Sequence, residues 1–173
     1  MCFHLWLGTP LTLSEVRAML PVGFSADAAE GAPRRRLSDA SRDVRTVVVL
    51  RLGACACALY LEPSSAGQSA ESALRGRYFK LGIPRPDVIR ALDRHRVSSS
   101  NSHTAPADAR RALVGFVAEH ARTAGAALFL RTCHPDGTLP PTVPTTPRSC
   151  GLADVQAAPC AWLPEDLPVR VAG

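Results

Sequence analysis

An α/β or α+β single domain, with a three- to five-stranded sheet and three to four helices, is the fold class this sequence predicts. Three observations predict it. Residues 106–124 carry apolar side chains at helical spacing and lead straight into the apolar run Ala126 to Thr132. Two further runs, 2–7 and 46–61, have the aliphatic, aromatic and β-branched content of strands. Finally, 173 residues, 46% of them apolar, suffice for one hydrophobic core and not for two. A strong helix feeding a strand, beside other strands, is the pattern of a mixed helix-and-sheet domain.

The first strand is Cys2-Phe3-His4-Leu5-Trp6-Leu7, ended by Gly8-Thr9-Pro10. Side chains alternate along a strand, so Cys2, His4 and Trp6 share one face and Phe3, Leu5 and Leu7 the other. Thr12 or Ser14 offers an N-cap to a short helix through Leu20, with Leu13, Val16, Met19 and Leu20 at helical spacing, and Pro21 closes it. Residues 21–45, rich in Ala, Gly, Ser, Asp and Arg, read as a long loop.

The run 46–61 is a second strand region, divided or bulged at Gly53. On its second half Cys55, Cys57, Leu59 and Leu61 share a face. A Pro/Ser/Gly turn at 62–69 precedes a helix over 70–80. Gly82 and Pro84 break it, and Pro86 begins another helix to about Arg96. A polar linker follows at 97–105. Pro106 then starts the longest helix, with Asp108 in its first turn, an apolar stripe of Leu113, Val114, Phe116, Val117 and Ala121, and Gly125 as its stop. The strand 126–132 ends in Cys133-His134 and the turn Pro135-Asp136-Gly137. The domain is therefore expected to span 1–137. Recurring prolines make 138–173 an irregular wrapping tail, with at most a short strand at Val169–Val171.

Composition narrows the function classes. Lys80 is the only lysine, so the net charge of +5 is carried by arginine, a bias that GC-rich coding produces. The one basic run, Arg34-Arg35-Arg36, falls in a loop-like stretch. A nucleic-acid binder would gather its basic residues on one face or helix, so nucleic acid is set aside as a partner. The apolar start lacks a basic leader, and the longest apolar run is interrupted by Arg51 and shorter than a membrane helix needs. No membrane partner is expected. A cytoplasmic protein is, leaving a protein partner as the open class.

In that compartment six cysteines are not a disulfide framework, which turns attention to free thiols, a metal or redox chemistry. Cys55 and Cys57 stand two apart among Gly53, Ala54, Ala56 and Ala58. On a strand they lie about 6.6 Å apart along the backbone. Two thiolates on one zinc need sulfurs about 3.8 Å apart, so the side chains must lean inward or the strand must curl, and the small neighbours leave room for either. A disulfide between them would be strained. If the strands are neighbours, Cys2, Cys133 and His134 supply the remaining ligands, and zinc or another thiophilic metal is the expected cofactor. The alternative is that the cysteines are inert small fillers of the core, in an interaction protein whose function lies in its surface. A third reading uses Cys2: removal of Met1 would give a cysteine with a free α-amine, the arrangement of an N-terminal nucleophile enzyme. No paired carboxylates, phosphate loop or Ser-His-Asp arrangement supports other catalysis.

The elements Met1-Cys2-Phe3, Gly53-Ala54-Cys55-Ala56-Cys57 and a later strand ending in Cys133 together resemble a group of short uncharacterised bacterial proteins. Members of that group begin with Met-Cys, carry a central Gly-x-Cys-x-Cys and end a later strand with cysteine. The resemblance covers the first strand, the central motif and 126–137. It departs at Ala56 and Ala58, where the group often has glycine, and it implies no activity.

Overall fold

The computed structural model describes residues 3–53, 56, 59, 75–76, 78–80, 84–100, 106–132, 146–157 and 162–172. They form a mixed helix-and-sheet fold around one six-stranded sheet, one strand more than the upper end of the expected range. In chain order the elements are β1 (His4–Thr9), α1 (Leu13–Met19), β2 (Phe24–Ala28), α2 (Gly31–Ala40), β3 (Thr46–Leu52), α3 (Arg85–Ser100), α4 (Pro106–Ala124), β4 (Ala126–Thr132), β5 (Arg148–Gly151), α5 (Leu152–Ala157) and β6 (Val169–Ala172). The spatial order is β2-β3-β1-β4-β6-β5. Every neighbouring pair is antiparallel except β5 and β6, which run parallel.

Strand pleating sorts the core into two layers. Leu5, Leu7, Val48, Leu50, Leu52, Phe129, Val169 and Val171 face one side, where they meet Val16 of α1 and Leu113, Phe116, Val117 and Ala121 of α4. Trp6, Val47, Val49, Leu128 and Leu130 face the other side, against Ala29 and Leu37. The α4 side chains recur at i, i+3, i+4 and i+8, so one stripe of the helix is apolar and the reverse carries Arg111, Glu119 and Arg122 in water. Gly125, at φ 75°, makes the sharp exit from α4 into β4 that a side chain would resist. At the N-terminal end of α1, Thr12 and Glu15 form a reciprocal capping box.

Three stretches depart from the sequence expectations. Residues 21–45 are not a long loop, because β2 and α2 lie within them. β2 is an edge strand of Phe-Ser-Ala-Asp-Ala with little strand propensity, held by its register on β3 and by the Arg17 guanidinium, whose Nε donates to the Ala26 carbonyl at 2.9 Å. In α2, Pro33 sits in the first turn, where no intrahelical N–H is required, and buries with Leu37 one turn on. The arginine run lies on this helix, with Arg34 and Arg35 exposed.

The strand of the 46–61 region stops at Leu52. Gly53 turns at φ 67°, Ala56 is a bend, and Leu59 is helical, with its amide donating to the Ala56 carbonyl at 3.1 Å. The shared strand face expected for positions 55 to 61 therefore has no extended backbone at 56 or 59 to carry it. Within 138–173, two strands and a helix join the sheet: β5, α5 and β6. Prolines punctuate these elements rather than preventing them; the Pro168 carbonyl accepts from the Arg148 amide at 2.9 Å as the parallel pair begins. The helix 106–124 and the strand 126–132 stand at their expected bounds, while α3 runs on to Ser100 through the start of the expected linker.

Candidate functional site

All five sequence-predicted ligands, Cys2, Cys55, Cys57, Cys133 and His134, lie outside the described residues. Their described chain neighbours do not scatter. The Ala56 amide, between the two central cysteines in sequence, donates to the Phe3 carbonyl at 3.2 Å. Phe3 follows Cys2 in the chain, and the next residue, His4, pairs directly with Thr132, which precedes Cys133. Three segments separated by some fifty to seventy residues thus converge at one end of the sheet, where β1 begins and where β3 and β4 finish.

The geometry that brings them there is backbone geometry. Register sets Leu5 opposite Leu50 on β3 and opposite Arg131 on β4, so the starting end of β1 lies between the finishing ends of its two antiparallel neighbours. Beyond β3 the chain is held at several points. The Gly53 amide meets the Gly23 carbonyl at 3.4 Å, Ala56 is tied to Phe3, and the Leu59 carbonyl accepts from Arg110 Nε of α4 at 3.0 Å. Ala56 and Leu59 are both buried.

Side chains add chemistry on both faces of this end. On one face the Arg131 guanidinium lies over the Phe3 ring, 5.6 Å from its centre, a cation–π contact that sets a fixed positive charge beside the start of β1. The Arg131 carbonyl accepts from the Asp166 amide at 2.8 Å, at a residue whose φ of 57° is left-handed. On the opposite face the His4 imidazole stacks on Trp6, with centroids 5.7 Å apart and planes 17° from parallel. The Trp6 indole N–H donates to the buried Thr132 hydroxyl at 3.1 Å. A permanent cation near a thiol favours its thiolate, the form that binds metals and acts as nucleophile.

Other titratable groups are placed elsewhere. Cys150 of β5 is level with Val171 and, across β6, with Ala127, at the opposite end of the sheet. Its thiol pKa is raised, first by burial and then by Asp154, against a smaller lowering by Arg148, so it stays protonated and unreactive. His120 is also at that far end, sealed against Thr9. A shallow depression there is lined by Gly8, Ser41 and Leu128 and closed at its rim by the Asp43–Arg170 ion pair at 3.3 Å; the paired charges leave it little to offer a ligand. Among the described residues no three His, Cys, Asp or Glu side chains are grouped as metal ligands. No described helix is long and apolar enough to cross a membrane.

Sequence reasoning placed His4 and Trp6 on one face by alternation alone. It missed Arg131, Phe3 and Thr132, because each acquires its role through strand order. A signal for Thr132 was available: a polar residue closing an otherwise apolar strand asks for a hydrogen-bond partner. Comparison of the chain with protein-family models, curated proteins and solved structures gives no match.

Proposed function

We propose that the protein is a small thiol-based metal-binding protein, with Cys55 and Cys57 at the centre of the site, Cys2 and Cys133 as the next ligands, and His134 as the alternative to one of them. The metal is zinc or another thiophilic ion. What carries the reading is the pair of backbone contacts from Ala56 to Phe3 and from His4 to Thr132, which unite the chain neighbours of all four cysteines. Consecutive Cα atoms are about 3.8 Å apart, so each cysteine is one short step from a member of this cluster. Four thiolates, or three with an imidazole, make a closed tetrahedral set of the kind that binds structural zinc.

Arg131 fits this role as well. Its charge offsets part of the negative charge that three or four thiolates bring to a divalent ion. Metal content, measured on protein purified without a histidine tag, tests the proposal against a Cys55→Ser/Cys57→Ser double variant. The expected result is about one equivalent of metal in the native protein and its loss in the variant. Equal and negligible metal in both would leave the cysteines as packing.

A further inference from the structure

The thiol-rich end of the sheet also presents an imidazole, and its setting is unlike that of a surface histidine. His4 is half-buried on β1, directly opposite Thr132. Its ring lies nearly parallel to the Trp6 indole, and that indole is in turn fixed by its N–H bond to the Thr132 hydroxyl. Trp6 is buried against Val47, Val49, Leu128 and Leu130, so it has little freedom to move. Each ring therefore sets the orientation of the next, from a buried hydroxyl outward to the imidazole.

Stacking engages the face of an imidazole and not its edge. The ring nitrogens and their lone pairs lie in the ring plane, so a ring held flat against indole directs its nitrogens sideways. Histidine ligands of metals are held in this way by contacts that fix ring orientation, and such supports count nearly as much as the ligand itself. Building on the thiol-site reading, we propose that His4 supplies a nitrogen ligand to the thiophilic metal, with Trp6 and Thr132 as the residues that orient it. The donor set is then mixed sulfur and nitrogen, the chemistry that suits zinc and cobalt. Within that set His4 stands in place of His134, because β1 carries it on a buried support.

Cobalt(II) alone, titrated into the metal-free full-length chain, tests this. The experiment uses a Trp162→Phe background, so that Trp6 is the only emitting indole. That change costs no hydrogen bond, since the buried Trp162 Nε1 has no partner. The native ligand set should give thiolate-to-cobalt charge transfer together with quenching of Trp6 as cobalt saturates the site. His4→Gln should keep the charge-transfer band, shift the visible d–d bands and weaken cobalt binding by at least about tenfold, the lower end of what an orienting residue alone costs a metal site.

Unchanged d–d bands and affinity in His4→Gln would overturn the role of His4 while leaving the thiol site intact. Trp6 emission indifferent to saturating cobalt would do the same without any variant at position 4. Absence of charge transfer in the native chain would remove the thiol site itself and the ligand with it.

Discussion

His120 on α4 holds its Nε2 2.8 Å from the Thr9 hydroxyl oxygen of β1, in a place with no solvent exposure at either residue. The same oxygen accepts the Leu11 amide at 3.1 Å, so one threonine ties a helix, a strand end and the turn after it. The other imidazole nitrogen, Nδ1, has no hydrogen-bond partner. Burial pushes the His120 pKa down from 6.5 to about 4.

The pH consequence follows in sign and range. Between pH 6.5 and about 4 the unfolded chain binds a proton at this position and the folded chain does not. Stability therefore falls as pH drops through that window and is flat above it. The full loss is about 3 kcal/mol, at 1.36 kcal/mol per pKa unit. Urea midpoints from pH 8 to 4.5 should show this slope in the native chain and a shallower one in His120→Gln. Parallel slopes would mean that His120 titrates freely. Thr9→Val, which strands the Leu11 amide and Nε2, should cost about 1–3 kcal/mol at pH 7.

Trp6 and Thr132 form a buried pair whose members need each other. Trp6→Phe removes the donor and leaves the threonine hydroxyl without it, at a cost of about 1–3 kcal/mol beyond the loss of ring area. Thr132→Val alone leaves the indole N–H unmet. A double-mutant cycle in chemical denaturation should show the two changes costing less together than their sum. Strict additivity would mean that water already serves both groups.

Gly8 lies on β1 where α2 and the turn after it approach closely. A Cβ there would stand 3.1 and 3.2 Å from the two Val44 methyls and 3.4 Å from Leu37 Cβ. Gly8→Ala should therefore destabilise by about 1–3 kcal/mol through overpacking, despite alanine being the better strand residue. Val44→Ala in the same protein makes room, so the pair should be more stable than the two single effects predict.

β6 lies between β4 and β5, with Val169 and Val171 fully buried. Val171→Ala should cost about 2 kcal/mol, in line with truncation at core positions. A loosely wrapping segment would give a change within about 0.5 kcal/mol. Denaturant unfolding of this one variant separates the two.

How far the sequence could be read depended on whether a residue's environment was local. Pro106 and Gly125 delimit α4 by their own backbone chemistry, and the run after them is a strand whatever pairs with it. Thr12 and Glu15 announce α1 in the same way. β2 is legible only from β3, since Ser25, Ala26 and Asp27 become strand by accepting a register and an Arg17 contact that sequence does not display. β5 is similar: Arg148-Ser149-Cys150-Gly151 has no strand pattern until β6 lies beside it. In the candidate site, alternation put His4 beside Trp6, but the partner of the indole is 126 residues away and depends on β1 and β4 being neighbours. The extended path expected across Gly53 failed on a local feature, a left-handed turn that glycine permits.

The position of β1 has a consequence for synthesis. Its partners on the two sides are residues 46–50 and 128–132, so one flank is satisfied early and the other waits for most of the chain. At the usual pace of a ribosome, about 5–20 residues per second, that flank stays open on the order of ten seconds. Leu5, Trp6 and Leu7 would be exposed along an unpaired edge throughout, inviting a strand from another nascent chain. Overproduction should therefore favour aggregates when elongation outruns folding, and slower translation after residue 52 would give β3 time to shelter the strand it already touches.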